Sequence, residues 1–86
     1  ALRKKIGEID EKILYFLKER MELCKRIGAI KREHGIPIRD YQREDELYTN
    51  IMRKASEFRL NPQEIKVIYQ EIIAMCAHAQ ESDTKT

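Results

Sequence analysis

The sequence predicts an all-α fold of three helices, one long and two shorter, and three observations carry that reading. Apolar residues recur at helical spacing along nearly the whole chain, and no stretch alternates with the period of two that marks a strand. Charged residues make up 37 % of the chain and apolar ones 42 %, with three glycines and two prolines, the balance of long amphipathic helices. At 86 residues the chain is long enough for one domain with a modest core and too short for two.

The first helix is expected from Leu2 or Arg3 to Glu33, closing on Gly35 with Pro37 two residues later. At about 1.5 Å per residue it spans roughly 46 Å, whereas a compact domain of this size has a radius of gyration near 12 Å and a diameter near 31 Å. The helix therefore overruns its own domain. Its apolar stripe of Leu2, Ile6, Ile9, Ile13, Phe16, Cys24 and Ile27 runs almost its full length, so the overhanging part needs a cover. A second copy of the chain is the simplest cover, and an intertwined homodimeric helical bundle is expected.

A second helix starts at Asp40 as N-cap and ends near Phe58, with Leu47, Ile51, Ala55 and Phe58 on its inner line. The third has the clearest start signal in the chain: Asn61 as N-cap, Pro62 at the first helical position and Glu64 three residues beyond the cap. Ile65, Ile68, Tyr69, Ile72, Met75, Cys76 and Ala79 form its expected inner face, and Gln80 continues the edge of Tyr69, Ile73 and Cys76. One domain is expected over residues 1–80, followed by a polar, frayed tail from Glu81 to Thr86.

Composition excludes several classes of function. A net charge of +2 argues for neither a nucleic-acid nor a membrane surface. Cys24 and Cys76 lack the paired spacing of zinc and redox motifs and read as small buried hydrophobes. His34 and His78 have no second ligand at helical spacing, so no metal site is expected. No apolar run approaches the ~18 residues of a membrane span and no secretory signal is visible, which makes the cytoplasm the expected location.

The chemistry lies in polar groups on apolar lines. Arg20 sits in the middle of the first stripe, whose members lie within about 40° of it at ~100° per residue, and Lys31 lies on the same line. A buried lone charge costs several kcal/mol unless paired, so two cations there imply an anionic partner. Each residue taken alone has a plainer account. Arg20 can set register in a helical seam, Lys31 can answer the helix dipole, and Asp40 can simply cap. Glu44 can be first-turn charge, Arg43 a solvated flank and Gln80 a surface amide.

Taken together they describe a pocket. Arg20 and Lys31 are about 16 Å apart along one helix, which suits the two ends of a small substrate. A second helix folded back beside the first and closed over by the third would bring Asp40, Arg43, Glu44 and Gln80 to the same interior. An excess of cations with an acid and an amide suits a dicarboxylate bearing a hydroxyl. Arg3 lies about 25 Å from Arg20 and 100° around the helix, so it cannot share its own chain's pocket but can reach that of an antiparallel partner. Its plainer account is an ordinary surface arginine.

These residues, in this order, resemble the all-helical AroQ class of chorismate mutases over nearly the full chain. The stretches that carry the resemblance are LRKKIGEIDEKIL, LKERMELCKRIGAIK, GIPIRDYQRED and the third-helix run ending CAHAQ. The resemblance implies rearrangement of chorismate to prephenate by a homodimer with two shared active sites and no cofactor. It implies that Arg20 and the partner's Arg3 hold the substrate carboxylates, and that Lys31 and Gln80 donate to the ether oxygen. Glu44 and the backbone near Asp40 hold the ring hydroxyl, with Arg43 supporting that end. Cys76 departs from relatives that place a carboxylate-binding serine there; a thiol is a weaker donor. Gln80 stands where some relatives carry a glutamate that must be protonated, so activity without acid is expected. Two other readings use the same residues: an isochorismate pyruvate-lyase, and a non-catalytic helical dimerisation or regulatory module.

Overall fold

A computed structural model describes residues 1–82. Three helices account for nearly all of them: α1 (Leu2–Glu33), α2 (Tyr41–Glu57) and α3 (Pro62–Ser82). The helix boundaries follow from local chemistry. α1 stops where Gly35 takes a φ of 66°, a conformation that costs glycine nothing. The amide of Gly35 donates to the carbonyl of Arg32 and that of Ile36 to the carbonyl of Lys31, the paired bonds of a Schellman cap. Asp40 caps α2 by accepting from the Arg43 amide at 3.2 Å. Asn61 Oδ1 caps α3, accepting from the amides of Gln63 and Glu64 at 2.9 and 3.2 Å. α3 runs two residues past the limit expected from sequence, so Glu81 and Ser82 are helical; the rest of the expected frayed tail, 83–86, lies outside the described residues.

The shape is a slab of 49 × 28 × 14 Å with a radius of gyration of 15.2 Å. Its long dimension is that of α1, and it is thin: among the described residues no large side chain is fully buried. The core is a narrow seam of Cys24, Ala55, Ile73 and Ala77, where α3 packs against both α1 and α2. α1 and α2 do not approach each other closely among the described residues. The second helix thus does not lie back along the first as the sequence suggested; α3 is the shared neighbour, and the gap between α1 and α2 becomes a cavity. The α1 stripe remains largely uncovered, with Leu2 78 % and Phe16 63 % exposed. On α3 the packed line is Ile73, Ala77 and Gln80, while Ile68 and Met75, expected inward, are about half exposed. The apolar surface of α3 is wider than the face its own chain covers.

α1 and α3 are joined where they come closest. Cys24 and Cys76 form a disulfide with Cα atoms 5.5 Å apart, closing a loop across 52 positions. The two, read from sequence as small buried hydrophobes, are thus joined: spacing in sequence carries no sign of a bridge that tertiary packing makes. A closed loop of that length stabilises the fold by about 4 kcal/mol through the entropy it removes from the unfolded chain. One turn along, a Cβ on Gly28 would fall 2.8 Å from Gln80 Cα, so glycine permits the approach. One turn further, Arg32 Nη1 donates to the Gln80 carbonyl at 2.6 Å.

Two substitutions test these local arguments. Arg59 ends α2 with a φ of 61°, a left-handed conformation that costs a residue with a Cβ about 1 kcal/mol more than glycine. Arg59→Gly is therefore expected to raise stability by roughly 0.5–1 kcal/mol in denaturant melts. Gly28→Ala gains about 1 kcal/mol of helix propensity but forces a methyl against backbone that cannot rotate aside. With overpacking at about 1–3 kcal/mol or more, a net loss of stability is expected in the same melts.

Candidate active site

The cavity between the helices holds about 400 Å³ and opens to solvent, within the range of small-molecule sites. α1 contributes Arg20, Leu23, Cys24, Ile27 and Lys31; α3 contributes Ile73, Cys76, Ala77 and Gln80. The Gly35–Asp40 link and the first turns of α2 close the far end. Arg20, Lys31, Asp40, Arg43, Glu44, Cys76 and Gln80, all singled out from sequence, line this one space. Arg3 does not. It lies on the exposed first turn of α1, about 25 Å up the helix from Arg20.

Each polar group is held by a local cause. Lys31 sits in the last turn of α1, and the Schellman cap turns the following link back under it. Its Nζ donates to the carbonyl of Ile38 at 2.7 Å, leaving two of its three N–H groups for a ligand. Glu44 is in the first turn of α2 and is largely buried, its side chain 16 % exposed. Both its oxygens accept from Arg39, Oε2 from Nε at 2.7 Å and Oε1 from Nη2 at 2.8 Å, the bidentate geometry that suits a guanidinium and a carboxylate. That hydrogen bonding pushes the Arg39 guanidinium above its usual range against the opposing effect of burial. The Arg39 guanidinium also lies over the Tyr41 ring, 4.9 Å from its centroid.

Arg39 is the cavity-lining residue that sequence reasoning missed. Its signal was present, a cation five residues before Glu44, but it lies in a link whose path only the folded chain defines. Gln80 is the residue whose plain reading fails. It is 6 % exposed, in the seam against Gly28 and not on the surface. Its Nε2 donates to Cys76 Sγ at 3.3 Å, and its Oε1 is buried with no hydrogen-bond partner among the described residues. A buried amide with an unpaired atom is costly unless a ligand or function retains it. Arg20 is partly buried, and its Nη1 lies 3.8 Å from Cys24 Sγ.

The electrostatics are lopsided. Four cations, Arg20, Lys31, Arg39 and Arg43, line the cavity with two carboxylates, Asp40 and Glu44. Asp40 is engaged as a cap and Glu44 with Arg39, so the Arg20, Lys31 and Gln80 donors are left to face a ligand. The space is built to receive negative charge between an apolar floor of Leu23, Ile27 and Ile73 and a wall of N–H groups. Among the described residues no group of three or more His, Cys, Asp or Glu side chains is placed to hold a metal, and no helix is long and apolar enough to cross a membrane.

Comparison with known proteins agrees with this geometry. Residues 2–81 match the family described as chorismate mutase type II. The chain is 47 % identical over 78 residues to a bifunctional chorismate mutase/prephenate dehydratase of Aquifex aeolicus, covering 87 % of this chain and 22 % of that protein. It is 43 % identical over 60 residues to a chorismate mutase of Methanocaldococcus jannaschii, covering 70 % and 61 % of the two. A 3-dehydroquinate dehydratase of Pyrobaculum aerophilum is 32 % identical over 80 residues, or 93 % of this chain and 23 % of that one. The chain thus spans about a fifth of the length of two of these relatives and under two thirds of the third. With three helices, a cation-lined cavity between them and a match over residues 2–81, the chain belongs to the type II chorismate mutase family.

Proposed function

We propose that the chain catalyses the pericyclic rearrangement of chorismate to prephenate, on the route to phenylalanine and tyrosine, as a homodimer with shared sites. The observation that carries this reading is the convergence of Arg20, Lys31 and the buried Gln80 on one cavity that also holds Glu44. A rearrangement of this kind shifts three electron pairs in one cyclic step, so the protein need supply no nucleophile and no proton shuttle. It must hold the substrate folded, with its reacting carbons near each other, and stabilise negative charge as the carbon–oxygen bond breaks.

The residues divide accordingly. Arg20 and Arg3 of the partner subunit take the two carboxylates, each with a planar fork. Lys31 and the Gln80 amide donate to the ether oxygen, where charge grows in the transition state. Glu44, its orientation set by Arg39, accepts from the ring hydroxyl, assisted by the backbone at Asp40, and Arg43 adds positive potential at that end. Cys76, as half of a cystine, lines the pocket but has no hydrogen to donate. The dimer is supported by the uncovered stripe from Leu2 to Phe16 and by Arg3's distance from its own cavity. Chorismate and a second copy are the partners in this reading, with no role for nucleic acid or membrane. The cytoplasm is its proposed location.

Turnover is measured directly by loss of chorismate absorbance and by product identity. Arg20→Ala and Lys31→Ala are each expected to lower kcat/KM by about a hundredfold or more. A wild-type protein that consumes no chorismate, one that releases pyruvate instead of forming prephenate, or unaltered rates in both variants would overturn the reading. Shared sites have a distinct signature: Arg3→Ala and Arg20→Ala proteins, each inactive, should recover about one quarter of wild-type activity when subunits are mixed. Half of the dimers are then mixed, and each mixed dimer has one intact site of two. Gln80→Glu should confine activity to acid, since a carboxylate must gain a proton before it can donate; its rate should rise as pH falls, while the wild-type rate follows no such limb.

A further inference from the structure

We propose that the Cys24–Cys76 cystine is a positioning element of the active site, holding the Arg20 guanidinium and orienting the Gln80 amide before substrate arrives. The inference rests on the mutase reading for its kinetic consequence but on geometry alone for the orientation itself.

Arg20 lies one helical turn before Cys24 on α1, and Gln80 one turn after Cys76 on α3. Each reaches back to the nearer sulfur: Arg20 Nη1 lies 3.8 Å from Cys24 Sγ and Gln80 Nε2 lies 3.3 Å from Cys76 Sγ. The bridge therefore stands between the two groups proposed to grip opposite parts of the substrate. Gly28 and Arg32 support the same seam, through the 2.8 Å clearance at Gln80 Cα and the bond to the Gln80 carbonyl. The backbone of Gln80 is fixed by these contacts, and what remains free is the turn of its carboxamide.

The oxidation state decides that turn. A cystine sulfur has no hydrogen and can only accept, so it favours the orientation in which Nε2 faces it and the amide's donors lie on the cavity side. The Oε1 atom is then left buried without a partner, a cost that the cystine cannot relieve. A free thiol at Cys76 can donate as well as accept, so it no longer excludes the opposite orientation. Its S–H can donate to Oε1 once the carboxamide flips, and the flipped amide carries its N–H groups away from the cavity. Reduction thus ends the cystine's preference for the productive orientation, while Arg20, a donor in every state, merely loses a fixed acceptor. The step is a two-electron exchange with a small dithiol: the dithiol closes to its own disulfide, and Cys24 and Cys76 each gain one hydrogen.

The test compares oxidised wild-type protein with the same protein reduced by a dithiol. Alkylation under denaturing conditions, read by mass, should label neither cysteine before reduction and both after. Reduction is expected to lower kcat about tenfold, with KM within about twofold, and re-oxidation to restore it. It should also shift the side-chain amide resonances of Gln80, identified by their loss in Gln80→Leu. Cys24→Ala supplies a free Cys76 thiol without reductant, and where loss of the bridge unfolds the chain both forms are assayed below their melting temperature. The kcat of Cys24→Ala should fall likewise, and Cys24→Ala/Cys76→Ala, lacking the thiol donor, should recover part of the loss. Equal rates in these two variants, unmoved Gln80 resonances, or a melting temperature that falls on reduction while kcat holds would overturn the proposal, leaving a cross-link and nothing more. Labelling of both cysteines before reduction would overturn it as well. Gln80 resonances that move on reduction in a protein inactive toward chorismate would sink the mutase reading and leave the orientation standing.

Discussion

The close approach of α1 to α3 is the constraint on which the rest depends. Along Cys24, Gly28 and Arg32, three consecutive turns meet α3 by a covalent bond, by backbone contact and by a charge-assisted hydrogen bond. A hydrophobic core of ordinary size would make such devices superfluous. Here the buried apolar set among the described residues is Cys24, Ala55, Ile73 and Ala77, and burial on that scale stabilises by only a few kcal/mol. The seam sets the height at which α3 stands against α1, and with it the depth of Gln80 and the width of the cavity.

The cavity exists because one pair of helices does not pack. α3 touches both neighbours, and the link Gly35–Asp40 is long enough to keep α2 away from α1 while short enough to bring Arg39, Asp40 and Glu44 opposite Lys31. Charge is distributed to match. The acids at the far end are already spoken for, by an amide in the case of Asp40 and by a guanidinium in that of Glu44. Cations therefore dominate the potential felt by an entering anion, four against two carboxylates. A purely structural dimerisation module has no use for a buried amide with an unpaired oxygen, so the arrangement favours a catalytic reading over that one.

Much of this was legible in the amino-acid order, because the informative residues break a periodic pattern. Arg20 and Lys31 interrupt an apolar line, Asp40 and Asn61 announce helix starts, and Gly35 marks a stop; each is a local signal and each holds. The overrun of α1 was likewise a matter of length against volume. What stayed hidden is tertiary. The bridge joins cysteines whose spacing is uninformative, and Arg39 belongs to a link with no period. The burial of Gln80 depends on Gly28, a residue that in sequence looks only like a weak spot in a helix. The position of α2 was misjudged for the same reason, since periodicity tells which face is apolar but not which neighbour will cover it.

The disulfide also divides the chain in a way the helix count conceals. Residues 24–76 form a covalent ring that contains α2 and most of the cavity wall, with Arg20 and Gln80 one turn outside its closure points. Before the ring lies an arm, the first 23 residues of the chain, which carries Arg3 and the bare part of the apolar stripe. The ring is locked by its own bond, whereas the arm draws its order from whatever it lies against. A cut in the loop between α2 and α3 would leave the pieces joined; a cut at the root of the arm would free it entirely. The molecule is thus a closed loop that holds most of the cavity wall and an open limb that reaches out of it.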